Sequence, residues 1–426
     1  MEAEVSQLLI DIRNKSNINV VKVSDVKLLG EDIKFVTNTS VSFNTLRRLY
    51  GFLPKTSFSK KTLDTLSKYL GFNSYSGYIN NRNIYDSWYF KMKLLRMEKD
   101  NLDFTKSDLI FFYRSLYNNV NVVLISDYIG SLISKQNTNA LVTFFSSLEY
   151  VKVSDSTKVK FAIITTHGFY KLDDKNKINL YEKLIHLDSF RNCIPFYNID
   201  YSHLNGYYSS VLELIKKLNH DKSEVLFVAL MEFLKSFYGN EKNVTIKIKL
   251  PAINTKLYPV LMSRYFGYLI LNESILTTTL KKDINDYLNK IDPKLFLIEI
   301  IPSLIIKEEF EYLDTIFNKY YEEIFTRDRW TADGQSFNFL IGLANVNIFN
   351  NNIKAAKINL NLIDLEKVEL GYTDYLTLFY NVTWLKIMFL EENTLQQAYY
   401  YSEIKRLATK IGFYKFLDIA NQYKQV

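Results

Sequence analysis

With only 13 glycines and 6 prolines in 426 residues, this chain has little from which to build tight turns, and that scarcity constrains its fold more than anything else. Glycine supplies the positive-φ positions of hairpin turns and proline presets others, so a sheet-rich fold of this length would need more of both. What recurs instead is apolar residues at three- and four-residue spacing, the mark of amphipathic helices. The stretches Leu109 to Tyr117, Val123 to Lys135, Ala140 to Glu149, Ile178 to His186, Tyr207 to Leu218 and Ser223 to Tyr238 all carry it. Short polar links between them imply antiparallel helical hairpins, and hence an all-α fold. One segment, Asn243 to Leu250, alternates like a strand; it ends at Pro251 without an evident partner and reads as an extended connection.

At 47% hydrophobic and 15% aromatic the chain can bury a substantial core, and its length calls for two or three domains. The expected division is an amino-terminal domain over 1–82, a helical middle region over 83–204 and a helical-repeat domain over 205–426. In the last, Leu340, Leu343, Ala344, Ala356 and Leu360 sit near the spacing of a tetratricopeptide repeat, where small residues let paired helices approach. The strict Trp-x-x-Leu-Gly pattern is absent, so the expectation is an α-solenoid or a degenerate tetratricopeptide-like array. Such an array has a concave face suited to a peptide or protein effector. The aromatic runs Phe337 to Leu340 and Tyr375 to Trp384 could line it, although a helical aromatic stripe more often packs between helices.

The amino-terminal region speaks most clearly about function. Ser42 is placed to N-cap a helix in which Leu46, Leu49 and Tyr50 form an apolar face, and Gly51 can end it. Upstream, Val26, Leu29, Ile33 and Phe35 or Val36 give a preceding helix, joined through a short polar link with Val41 as an apolar plug. Downstream, Ser59 caps a third helix with Leu63, Leu66, Tyr69 and Leu70 inward and Lys60, Lys61 and Lys68 outward. Two helices joined by a turn of a few residues are the layout of a helix-turn-helix DNA reader. Asparagine and arginine in the early turns of the second helix are the side chains that read adenine and guanine edges bidentately. Between residues 42 and 68, Arg47, Arg48, Lys55, Lys60, Lys61 and Lys68 face the single anion Asp64, in a chain whose net charge is only +7. Clustered positive charge is the footprint of a phosphate-binding surface. The expected DNA contacts are Ser42, Phe43, Asn44, Thr45, Arg47, Arg48, Lys55, Lys60 and Lys61.

The runs Ser42-Phe-Asn-Thr-Leu-Arg-Arg-Leu-Tyr-Gly-Phe-Leu53 and Ser59-Lys-Lys-Thr-Leu-Asp-Thr-Leu-Ser-Lys-Tyr-Leu-Gly-Phe-Asn-Ser-Tyr75 resemble the amino-terminal helix-turn-helix of a group of uncharacterised bacterial regulators, distantly similar to phage-repressor-type DNA-binding domains. The resemblance spans roughly Val23 to Tyr78, about an eighth of the chain, and departs from the group where Tyr75 replaces its usual tryptophan. It implies a recognition helix at Phe43 to Tyr50, with Asn44, Thr45, Arg47 and Arg48 as contacts.

Catalytic chemistry has no comparable support. A lone cysteine, Cys193, rules out an intrachain disulfide framework and thiolate metal clusters. His167, His186, His203 and His220 lack metal-ligand spacing. There is no glycine-rich phosphate loop, Gly-x-Ser-x-Gly or paired-acid nuclease signature. Glu308, Glu309 and Glu311, like Glu322 and Glu323, read as solvated helix faces, and Asp173-Asp174 beyond His167 reads as a surface turn. No cofactor is expected. The acidic start Met1-Glu-Ala-Glu is unlike a secretion signal, and no apolar run reaches membrane-spanning length, so a cytoplasmic protein without membrane contact is expected. The resulting expectation is a non-enzymatic, DNA-binding transcription regulator, acting on double-stranded DNA as a homodimer. The alternatives are a helical scaffold using its amino-terminal helices for protein contacts, or a component of a phage-defence or toxin system.

Overall fold

The computed structural model describes residues 2–16, 18–54, 58–82, 85–100, 103–117, 121–146, 153–218, 222–241, 257–325 and 333–424. Among the described residues helix accounts for 76% and no strand occurs, as the shortage of turn formers requires. The strand-like run Asn243 to Leu250 lies outside the described residues, as do Lys55 and His220. The chain divides into two compact units, Met1–Leu102 and Asp103–Val426.

The first unit holds α1 (Glu2–Ser16), α2 (Val23–Thr37), α3 (Phe43–Leu49), α4 (Lys60–Tyr69), α5 (Tyr75–Arg82) and α6 (Tyr85–Lys99). Leu8 and Ile12 of α1, Val26, Leu29 and Ile33 of α2, Leu46 and Leu49 of α3, and Leu63, Leu66 and Tyr69 of α4 share one core. Tyrosine hydroxyls at its edge find carboxylates on other helices. Tyr69 donates to Asp32, and Tyr78 to Asp11 at 2.9 Å. The Lys15 ammonium donates to the carbonyl of Tyr69, pinning α1 to the end of α4.

The second unit runs through α7 (Lys106–Tyr117), α8 (Val122–Ser134), α9 (Thr138–Phe145), α10 (Asp155–Thr166), α11 (Asp174–Leu184), α12 (Asp188–Arg191), α13 (Tyr207–Lys216), α14 (Lys222–Tyr238), α15 (Pro259–Asn272) and α16 (Thr278–Leu288). It continues with α17 (Pro293–Ile306), α18 (Phe310–Phe325), α19 (Asp333–Phe349), α20 (Ile353–Asn361), α21 (Leu370–Leu390), α22 (Thr394–Ile411) and α23 (Lys415–Asn421). Alternate helices stack: α15 on α17, α17 on α19 and α19 on α21, while α18, α20 and α22 each pack on the helix before them.

Four of the hairpins share one turn. At the ends of α8, α17, α19 and α21 a residue takes the left-handed conformation, namely Gln136, Glu308, Asn351 and Glu392, with φ of 53°, 57°, 58° and 56°. The next amide then donates to the carbonyl five residues back: Asn137 to Leu132 (2.9 Å), Glu309 to Leu304 (3.0 Å), Asn352 to Asn347 (2.7 Å) and Asn393 to Met388 (3.0 Å). This closes the helix as a Schellman motif. In three of the four, that same residue is an asparagine whose Oδ1 caps the following helix, accepting from Ala140, Ala355 and Gln396 amides at 3.2 Å each. Glu308 therefore stands in a turn, where the spacing predicts a solvated helix face. Its carboxylate pairs with Lys386 at 2.8 Å.

Polar clamps join the stacked helices. The Arg264 side chain of α15, 1% exposed, pairs with Glu299 of α17 at 2.8 Å and donates to the Phe196 carbonyl at 2.6 Å. Tyr201 donates to the other Glu299 oxygen at 2.6 Å. Asn338 of α19 donates to the Ile298 carbonyl of α17 at 3.2 Å and to the Tyr372 hydroxyl of α21 at 2.7 Å, and Asn345 donates to Thr383 of α21 at 2.9 Å. At the start of α21, Glu369 accepts from Tyr170 and from Asn198 (3.1 Å). Burial pushes its carboxyl up to about 7, against the pull of those hydrogen bonds.

Two predictions follow from these contacts. Asn393→Ala should cost about 1 kcal/mol in urea unfolding by removing a cap, whereas Glu392→Gly should gain about 0.5 kcal/mol by relieving a left-handed non-glycine residue; equal losses from both would mean that the turn is not the determinant. Because the folded pKa of Glu369 lies above that of the unfolded chain, its contribution to stability is complete below about pH 4.5 and is lost as pH rises through about 7. Glu369→Gln should remove that part of the stability slope in denaturant titrations between those pH values.

Candidate nucleic-acid interface

The end of α2 sets the entry to α3. Thr37 donates its hydroxyl to the Ile33 carbonyl at 2.7 Å and accepts from the Thr39 amide at 3.2 Å, while Asn38 takes the left-handed conformation with φ 53°. Asn38 to Ser42 then form the link between the helices. Ser42 caps α3 by accepting from the Thr45 amide at 3.1 Å, and its hydroxyl lies 2.7 Å from that of Thr45. Leu46 and Leu49 face the core. Gly51, at φ +80°, ends the helix, and the Phe52 amide returns to the Arg47 carbonyl at 2.8 Å.

Helix α4 repeats this construction. Ser59 accepts from the Thr62 amide at 3.2 Å, and Gly71 (φ +97°) precedes a Phe72 amide that returns to the Ser67 carbonyl at 3.0 Å. Asp64, the single anion of the basic stretch, accepts from the Tyr75 amide at 2.7 Å and so fixes the start of α5.

The close approach of α2 and α3 depends on Gly30, where an added Cβ would lie 3.2 Å from Leu46 Cδ1. Burial also reaches Tyr50, whose hydroxyl has no hydrogen-bond partner among the described residues. Burial raises its pKa to about 12, opposed by the charge of Arg13.

With their apolar sides in one core, α3 and α4 turn their remaining faces outward. Ser42, Phe43 and Asn44 are exposed, Phe43 by 42%, and Thr45, Arg47 and Arg48 are half-buried. The Arg47 guanidinium lies 5.6 Å from the Phe43 ring, and its Nε is buried without a hydrogen-bond partner among the described residues. Lys60 and Lys61 are exposed in the first turn of α4, which contains no acidic residue. No ion pair to Arg47, Arg48, Lys60 or Lys61 forms among the described residues. The apolar spacing predicts Val26, Leu29 and Ile33 of α2, Leu46 and Leu49 of α3, and Leu63, Leu66 and Tyr69 of α4 as inward, and they are; Phe35 or Val36, expected to continue the inward face of α2, are instead both exposed, because that face turns away from the core at the last turn of the helix. The spacing did not reveal Gly30 as a contact, nor the exposure of Leu28 (56%) and Phe35 (84%) seven residues apart on α2. The period that puts Val26, Leu29 and Ile33 inward leaves these two on another face, a signal that could have marked them.

Elsewhere, no group of histidine, cysteine, aspartate and glutamate suited to holding a metal ion occurs among the described residues, and no helix is long and apolar enough to cross a membrane. Gly30→Val should destabilise the first unit by about 1–3 kcal/mol through overpacking against Leu46, read as faster amide exchange in α2 and α3 with α15 to α22 unchanged. Compared with family models, with curated proteins and with solved structures, the chain matches none.

Proposed function

We propose that this chain is a DNA-binding transcription regulator whose first unit reads duplex DNA through α3, with α4 holding the phosphate backbone. The observation that carries the reading is the exposed first turn of α3, Ser42 to Asn44, together with four cations on α3 and α4 that have no ion-pair partner among the described residues. Asn44 and Arg48 have the chemistry to read base edges, and Thr45 and Ser42 to bond phosphate oxygens. Arg47, lying against Phe43, would exchange that ring for a base or phosphate. Lys60 and Lys61 supply the sequence-independent attraction.

The second unit is the proposed effector and dimerisation region. The shared turn of the hairpins α17–α18, α19–α20 and α21–α22, and the stacking of alternate helices, support a helical-repeat array. Phe337, Phe339, Tyr375 and Trp384 are buried, so they serve packing and a peptide effector would meet other side chains. A second reading, a scaffold in which the first unit binds protein, is favoured by the exposed Leu28 and Phe35 of α2.

The test is a mobility shift with the DNA upstream of the chain's own gene, at two salt concentrations and against a scrambled competitor. Specific, salt-sensitive binding is expected. Arg47→Ala/Arg48→Ala should weaken it on the order of 10- to 100-fold and flatten its salt dependence while helicity is retained. Unchanged binding by that folded variant would sink the assignment of the surface. Binding that survives there but fails in Leu28→Ser/Phe35→Ser, with a lower mass in light scattering, would favour the protein-contact reading of α2.

A further inference from the structure

A cavity of about 290 Å³ lies within the second unit between α14, the end of α17, α21 and α23. Phe237, Ile305, Phe379, Val382 and Phe416 give it apolar walls, and Lys307, Lys386 and Lys415 bring three cations to it against the carboxylates of Glu308 and Asp418. One of the three is matched. Lys386, 6% exposed, pairs with Glu308, and Tyr423 donates to the same Glu308 oxygen at 2.6 Å. The Phe310 and Tyr423 rings lie 5.0 and 5.1 Å from its ammonium. Burial would raise the Glu308 carboxyl, but the charge and hydrogen bond of Lys386 bring it below the usual range.

The other two cations are poorly matched. Lys307 donates to the Glu273 carbonyl at 2.6 Å and forms no ion pair among the described residues. The carboxylate paired with Lys415 is that of Asp418, at 4.0 Å, and it already accepts from Asn240 at 2.8 Å. Burial, then the charge of Lys415, holds Lys307 below the ordinary lysine range, so the two ammonium groups repel one another across the cavity. Lys307 without an ion pair among the described residues and Lys415 with one long, shared pair, set against aromatic walls, suit an anion with two negative charges and an apolar body, and the volume accommodates a phosphate with about one ring.

We propose that this cavity binds a small phosphate monoester, with Lys307 and Lys415 gripping the phosphate, Phe237, Phe379 and Phe416 packing on its organic part, and the Lys386–Glu308 pair forming the floor. A phosphate bonded by two lysines recovers charge-assisted hydrogen bonds that a carbonyl and a shared carboxylate supply only in part. Glu308 reaches Lys386 from a left-handed turn position, which keeps that cation neutralised and leaves the other two for the ligand.

The test is fluorine NMR of 4-fluorophenyl phosphate with the full chain, with 4-fluorobenzyl alcohol as the neutral counterpart and inorganic phosphate as competitor. Saturable broadening of the aryl phosphate is expected, without broadening of the alcohol and with only weak competition by inorganic phosphate. Lys307→Met and Lys415→Met should each weaken binding roughly tenfold or more. Val382→Phe keeps every lysine but fills the cavity, and should abolish binding in a chain that unfolds no more easily than the original. Arg47→Ala/Arg48→Ala, in the other unit, should bind the probe as the unaltered chain does. Absence of saturable binding, or binding that persists in Val382→Phe, would overturn the proposal, as would equal affinity for inorganic phosphate.

Discussion

Every α-helix leaves four amides and four carbonyls without intrahelical partners, and in a chain so poor in glycine and proline the way those ends are closed determines the rest of the structure. The solution in the second unit is a turn in which one residue does two jobs. Asn137, Asn352 and Asn393 return their own amides to the preceding helix and offer their side chains to the next. The left-handed residue before each is Gln136, Asn351 or Glu392. Each accepts a steric cost of about 1 kcal/mol that glycine would avoid. The turn is so short that the second helix must fold back along the first, and the apolar stripe left on each pair must be covered by the next. The stacking of α17, α19 and α21 follows from it.

A core rich in tyrosine adds a second demand. Each buried ring brings a hydroxyl that needs a partner, and the partners are mostly distant in sequence. Tyr201 donates to Glu299, Tyr197 to Asp155 and Tyr238 meets Tyr375 at 2.7 Å. Buried carboxylates then need cations. Glu299 is held by Arg264, and removing either partner alone would strand a charge at a cost of about 3–5 kcal/mol. Such pairs contribute little net stability against an apolar replacement, but they penalise any other register between α15 and α17.

The parts of this arrangement legible in the sequence are the local ones. Ser42, Ser59 and Gly51 act within a few residues of themselves, and Leu46, Leu49, Leu63 and Leu66 repeat at the helical period, so caps and inward faces of α3 and α4 could be read directly. Asp32, Asp11 and Glu299 look like any surface carboxylate in sequence; what makes them acceptors is a tyrosine or arginine 37, 67 or 35 residues away. Glu308 misleads for a related reason. Adjacent glutamates at a helical spacing imply a wet face, yet the left-handed turn puts this one on Lys386. Gly30 gives no warning either, since a glycine inside a helical pattern is only a weak site until the neighbour that needs the space is known.

The cations of the candidate interface do not carry equal weight. Arg47 and Arg48 occupy the last turn of α3, where the helix dipole favours positive charge; stability alone could place them there. Lys60 and Lys61 open α4, where the same dipole opposes them, at about 0.3–1 kcal/mol each at an exposed site. Acidic residues are the stabilising choice in that turn, and the equivalent positions of α10 and α11 hold Asp155 and Asp174. Local rules broken without a compensating contact mark positions where something other than folding sets the residue. Two lysines beside the free amides of a helix start form a positive end that a phosphate backbone would neutralise. Under the proposed reading, α4 would grip the phosphate backbone and α3 would do the reading.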